Sequence, residues 1–130
     1  MLILTLKTDN PDAELGLFED KTRLQYVSFL AHRTLAENLP KKIEQLLNQQ
    51  NLNWQSIQGI VCYLGPGSFT GLRIGLSLAN ACAYSLKVPI VGSETTKWRE
   101  IGIDRLLKGD DQKQVLPHYG SEPHITKQKK

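Results

Sequence analysis

The chain has 130 residues, of which 40% are hydrophobic and 22% charged, a composition typical of one globular domain with a single core. The formal net charge of +3 comes from three lysines at the C-terminal tip, Lys127, Lys129 and Lys130. The rest of the chain is electrically balanced, which argues against a broad surface for direct binding of nucleic acid. No apolar run approaches the roughly 18 residues needed to cross a membrane, and the two cysteines lack the spacing of metal ligands. We expect a cytoplasmic protein without a membrane anchor.

Three short strands are predicted near the start of the chain, at residues 2–7, 14–19 and 23–29. Turn-forming residues separate them, at Asp9-Asn10-Pro11 and at Glu19-Asp20. Strands joined by such short turns pair side by side in alternating directions, so the sequence predicts an antiparallel meander of three strands.

A helix is predicted over residues 31–49, because Leu35, Leu39 and Ile43 recur at helical spacing and would share one face. Pro40 lies inside this run and has no N–H to donate to the preceding turn. We therefore expect a kink at Pro40 or a helix in two parts.

The next segment predicts a strand, a helix and a second strand, at 57–64, 68–87 and 88–92. The crossover between two such parallel strands should be right-handed. A short helix is predicted at 95–108. Together these elements predict an α/β fold with a mixed sheet of about five strands and helices packed on it.

Residues 65–76 read GPGSFTGLRIGL and join the predicted strand to the predicted helix. A dinucleotide-binding loop needs glycines at relative positions one, three and six, and here the third glycine, Gly71, comes one residue late. A tight turn is the stronger interpretation. We assign the turn and the helix cap to Gly65, Pro66, Gly67 and Ser68, with the Ser68 hydroxyl accepting a backbone N–H of the first helical turn.

The run GPGSFTGLRIGLSLANACAYSLKVPIVGSETT resembles the signature of the TsaB (YeaZ) family, scaffold proteins in the synthesis of threonylcarbamoyladenosine in tRNA. The resemblance continues loosely from Met1 to about Thr96 and resumes in VLPHYGSEPHITK at 115–127. It implies a single actin-like (RNase H-like) half-domain at 1–112, without the second subdomain usual in the family. We expect residues 113–130 to form a tail that packs back on the domain near helix 95–108, with a basic tip.

The helix at 68–87 carries more apolar surface than one neighbour can cover. One apolar stripe should lie on the sheet, and a second lies about 100° around the helix axis. Gly71 and Gly75 in the second stripe would let a neighbouring backbone approach closely, and that neighbour is either helix 31–49 of the same chain or another protein.

The resemblance favours another protein, because in TsaB these two helices pack against the matching pair of a homologous partner, TsaD. The predicted partner interface contains Leu35, Leu39, Ile43, Phe69, Gly71, Ile74, Gly75, Leu78 and Cys82. The predicted partner is a TsaD-like protein, with a TsaE-like ATPase as a candidate third component and a homodimer as the form adopted alone.

Catalytic features are missing from the sequence. Actin-like ATPases carry an acidic residue at the end of the first strand, where this chain has Lys7, and Asp9 is explained as a turn residue. His32, His118 and His124 form no short paired spacing, and Ser68 lacks the flanking glycines of a nucleophile elbow. We predict no catalytic residue, no metal and no cofactor. The alternatives are an actin-like nucleotidase or peptidase and a structural homodimer that uses the two-helix surface twice.

Overall fold

A five-stranded sheet forms the centre of the molecule, and the structure, a computed structural model, describes residues 1–117 apart from the side chains of His32 and Phe69. The strands are β1 (Leu2–Lys7), β2 (Asp12–Glu19), β3 (Thr22–Leu30), β4 (Gly59–Tyr63) and β5 (Ile90–Ser93). The helices are α1 (Leu35–Gln49), α2 (Phe69–Leu86) and α3 (Trp98–Leu107), with single 3₁₀ turns at His32–Thr34 and Trp54–Ser56.

The strand order is β3-β2-β1-β4-β5, so the first strand lies in the middle. β1, β2 and β3 are antiparallel neighbours, which confirms the predicted meander. β1, β4 and β5 are parallel, with Leu4 opposite Ile60 and Ile60 opposite Ile90. A central strand of a partly parallel sheet is covered on both faces, which explains why β1 is apolar at almost every position.

The two faces of the sheet are covered differently. Leu2, Leu4 and Leu6 of β1 face the larger core cluster, which α1 and α2 complete. Ile3 faces the smaller cluster, which is completed by Trp98 and other residues of α3. The alternation of side chains along β1 therefore places two helices on one face and one helix on the other.

The helix predicted over 31–49 does fall into two parts, but the division lies at Thr34 and not at Pro40. Thr34 has non-helical dihedral angles, and its hydroxyl donates to the carbonyl of Ala31 at 2.7 Å. α1 then runs from Leu35 through Pro40 without a break. Pro40 removes only the hydrogen bond to Ala36, and the burial of Leu39 and Ile43 on either side holds the helix together.

Residues 111–115 run beside β5 and α2. The amide of Ile90 donates to Asp111 Oδ1 at 3.1 Å, and the amide of Gln112 donates to the carbonyl of Ile90 at 2.8 Å. Asn80 of α2 exchanges two 2.9 Å hydrogen bonds with the backbone of Val115, whose side chain is buried. The sequence placed this segment near the third helix, whereas these bonds tie it to β5 and α2. Residues 118–130, the rest of the predicted tail, lie outside the described part of the chain.

Candidate protein–protein interface

The loop between β4 and α2 is held against the end of β1. Gly65 has a φ of 117°, a conformation that favours glycine. The amide of Ser68 donates to the carbonyl of Asp9 at 2.6 Å, and the Tyr63 hydroxyl donates to the carbonyl of Pro66 at 2.9 Å. Gly67 lies so close to Asp9 that a Cβ there would overlap the Asp9 side chain.

Ser68 is the N-cap residue of α2, as predicted, but its side chain makes no capping hydrogen bond. The first turn of α2 is fixed instead by the backbone bond from Ser68 to Asp9. The prediction that the Ser68 hydroxyl accepts a backbone N–H of the first helical turn is therefore wrong. The loop is positioned instead by its backbone and by the contact of Gly67 with Asp9.

Asp9 belongs to a small charged cluster at the carboxyl ends of β1 and β4. Its Oδ1 lies 2.5 Å from Lys7 Nζ, and both side chains are largely buried. The same ammonium lies 4.6 Å from the centroid of the Tyr63 ring. Burial raises the pKa of the Tyr63 hydroxyl above its ordinary value. The cluster satisfies the charge of Asp9 within the chain, which supports the structural interpretation of this aspartate.

Gly71 and Gly75 allow a close approach, but to a residue of the same chain. A Cβ at Gly71 would overlap the carbonyl oxygen of Thr8, and a Cβ at Gly75 would overlap the Thr8 side chain. The Thr8 hydroxyl also donates to the carbonyl of Gly71 at 2.8 Å. The expectation that these glycines admit a partner's backbone is corrected here, because the end of β1 fills that space.

The predicted interface residues of α1 are core residues. Leu35, Leu39 and Ile43 are 5%, 1% and 1% exposed, and they pack in the larger cluster between α1, α2 and the sheet. Ile74, Leu78 and Cys82 of α2 are half-buried against the same cluster. The helical periodicity identified the packed face correctly. It could not show that the covering residues come from the same chain.

A groove of about 440 Å³ separates the outer surfaces of α1 and α2. We call it the α1–α2 groove. Its lining residues are Ala36, Leu39, Pro40, Thr70, Arg73, Ile74, Ser77 and Leu78.

Exposed side chains form the rim of this groove, among them Ala36, Arg73 and Ser77, and the half-buried Ile74 and Leu78 contribute apolar surface. This combination of an apolar floor with a polar rim is usual at protein–protein contacts. Ala36, Arg73 and Ser77 are not among the interface residues predicted from sequence. The available signal for Ser77 was its place one turn after Arg73 on α2, next to the apolar residues Ile74 and Leu78.

Neither cysteine has the surroundings of a reactive thiol. Burial raises the pKa of Cys62, which lies in β4, and also raises that of the half-buried Cys82. Within residues 1–117, no three His, Cys, Asp or Glu side chains converge as metal ligands would. Over the same residues, no helix has the length and apolar character required to span a bilayer.

The chain is similar to known proteins in both sequence and fold. A family model described as TsaD, tRNA N6-adenosine threonylcarbamoyltransferase, matches residues 27–98. The tRNA threonylcarbamoyladenosine biosynthesis protein TsaB of Bacillus subtilis is 36% identical over 91 residues, which cover 69% of this chain and 39% of that protein. The protein of the same name from Escherichia coli is 27% identical over 117 residues, covering 85% and 50%.

A solved structure from Pseudomonas aeruginosa has the same fold, with a TM-score of 0.67 and 24% identity over 72% of this chain and 43% of that one. It is described as an uncharacterized protein with similarity to peptidase YEAZ.

The sheet order, the helix positions and these matches define an α/β protein of the actin-like (RNase H-like) class. The chain belongs to the TsaB (YeaZ) family. It spans half or less of the length of the curated TsaB proteins described above.

Proposed function

We propose that this chain is a noncatalytic subunit that binds a TsaD-like transferase in the synthesis of threonylcarbamoyladenosine in tRNA. The observation that carries the proposal is the α1–α2 groove, an open surface with half-buried Ile74 and Leu78 beside exposed Ser77. Binding would occur across the outer sides of the two helices, since their inner sides are already packed.

The match of this chain to a transferase family model supports the choice of partner. Two homologous chains carry the same pair of helices, so they can pair through equivalent surfaces in the manner of a symmetric dimer. The same reasoning makes a homodimer the competing state of the isolated chain. A TsaE-like ATPase would join such an assembly as a third component.

The chemistry at the end of β1 supports a noncatalytic role. Lys7 occupies the position of the acid that actin-like ATPases use, and it neutralises Asp9 by direct contact. A carboxylate already in contact with an ammonium group is less available to bind a catalytic metal ion. ATP turnover and the transfer reaction would then belong to partner proteins.

The test adds bulk to the groove without disturbing the core. Ser77→Trp is expected to weaken binding to the transferase of the source cell by roughly tenfold or more, because the indole occupies space that the partner needs. Ser77 is exposed, so the fold should survive. The matched control is Gln45→Trp, which adds the same side chain at an exposed position of α1 that does not line the groove.

Titration calorimetry with the full chain gives both affinities, and sedimentation of the chain alone gives its oligomeric state. Normal transferase binding by Ser77→Trp would exclude the groove as the interface. If Ser77→Trp abolished self-association and the unaltered chain did not bind the transferase, the groove would be the interface of a homodimer and the proposed heterodimer would be excluded. Hydrolysis of ATP by the purified chain would overturn the noncatalytic role.

A further inference from the structure

The opposite face of the sheet carries a second open site. A cleft of about 650 Å³ lies between the β2–β3 hairpin and α3. Four cationic side chains line it, Lys21, Arg23, Lys97 and Arg99, together with the carboxylates Glu100 and Asp104. We call this the basic cleft. The cations come from the hairpin turn, from β3 and from the start of α3, so the fold brings them together from distant parts of the sequence.

Two of the four cations have carboxylate partners. Arg99 lies 3.3 Å from Glu14, and Lys21 lies 3.7 Å from Asp104, which is shared with Lys108 at 3.0 Å. Within residues 1–117, no carboxylate lies within ion-pair distance of Arg23 or Lys97. Among the described residues the cleft therefore keeps two cations without an ion-pair partner, Arg23 and Lys97, against one unpaired carboxylate, Glu100, so positive charge remains in excess.

The arginines are held in place by aromatic contacts. The guanidinium carbons of Arg23 and Arg99 lie 5.7 and 5.5 Å from the centroid of the Tyr26 ring, and Arg99 also lies 4.8 Å from that of Trp98. A guanidinium group resting on a ring still has N–H groups in its plane, and these match the oxygens of a phosphate. Fixing the side chains beforehand lowers the entropy lost on binding.

We propose that the basic cleft binds the phosphate backbone of RNA. The net charge of +3 does not oppose this, because local clustering rather than total charge determines a phosphate site. The cleft is open to solvent, which suits a continuous strand. Because Arg23 and Arg99 already cover the Tyr26 ring, contact with phosphate is favoured over stacking of a base.

The proposal rests on the proposed function only for the choice of tRNA as the RNA. It departs from the expectation of no direct contact with nucleic acid, which was drawn from the balanced charge of residues 1–126. Binding of RNA to the isolated chain and binding of the transferase are measured separately, so failure of one leaves the other standing.

The test measures fluorescence anisotropy of a labelled tRNA transcript with the full chain over a series of NaCl concentrations. Arg23→Glu with Lys97→Glu should weaken binding and lower the slope of log K against log salt by about two, one for each lost phosphate contact. The matched control is Arg33→Glu with Lys41→Glu, which makes the same charge change at exposed positions outside the cleft and should keep the slope.

Circular dichroism checks that each variant folds. If the double charge reversal Arg23→Glu with Lys97→Glu unfolds the chain, Arg23→Gln with Lys97→Gln replaces it. Amide shift mapping by NMR with the same RNA should place the largest changes at residues 21–26 and 97–104. Equal losses in the cleft variant and the control would overturn the proposal. Absence of binding by the unaltered chain at low salt would overturn it too, as would displacement of the RNA by polyglutamate at equal charge.

Discussion

Helix α2 has two sides with different neighbours in the structure. On its inner side, Gly71 and Gly75 touch Thr8, with Leu72 and Leu76 buried beside them. On its outer side, Thr70, Arg73 and Ser77 border an open groove. Small residues on a helix therefore indicate that another backbone or side chain approaches closely, but they do not identify which one. Here the neighbour is the end of β1, so the surface of α2 that is available to another protein is the side with Thr70, Arg73 and Ser77.

The largest expected effect is on the inner side. Gly75→Leu should destabilise the chain by about 3 kcal/mol or more, because the new side chain must enter space that Thr8 occupies. Total stabilities of small domains are only about 5–15 kcal/mol, so the variant should melt far earlier or fail to fold. Urea unfolding followed by circular dichroism measures the change.

A double-mutant cycle provides the control. Gly75→Ala meets only side-chain atoms of Thr8, so Thr8→Ala should recover part of its cost, whereas Gly71→Ala meets the Thr8 carbonyl and should not be recovered. Equal behaviour of the two glycines would contradict the assigned contacts. A folded Gly75→Leu that loses only partner binding would restore the interpretation made from sequence.

The fold was predictable because it depends on local and periodic signals. The short strand-like runs bounded by turn residues and the helical spacing of Leu35, Leu39 and Ile43 identified the elements to within a few residues. The site was less predictable, because its properties come from contacts between distant residues. Nothing near Gly75 in the sequence indicates Thr8, and nothing near Arg23 indicates Arg99.

The family resemblance had a similar limit. It correctly identified the TsaB (YeaZ) family and the fold, since a long contiguous motif encodes both. It assigned the interface to the two helices without distinguishing their sides. Only the packing in the structure separates the buried side of each helix from its exposed side. It also gave no signal for the basic cleft, whose cations are spread over residues 21–99.

An intermediate effect is expected on the flank of α2, where Asn80 holds Val115. Truncation after Lys113 should cost about 2 kcal/mol, since it removes a buried valine and two hydrogen bonds while the ordering entropy of a few residues is regained. Truncation after Pro117 is the matched control, because it keeps Val115. The urea midpoints of the two shortened chains give the difference. Identical midpoints would show that residues 114–117 stabilise nothing.

The smallest expected effect is on the outer side of α2 and has the opposite sign. Ser77→Ala should raise stability by about 0.3–0.5 kcal/mol, because alanine is the better helix former and the exposed Ser77 side chain contributes nothing to the core. Gly75→Ala gains about 1 kcal/mol of helix propensity by the same argument and should still destabilise the chain, since its Cβ meets Thr8. Replicate urea titrations of both variants decide the point. A loss of stability in Ser77→Ala would mean that the groove side of α2 is packed within the chain, and the distinction between the two sides of the helix would fail.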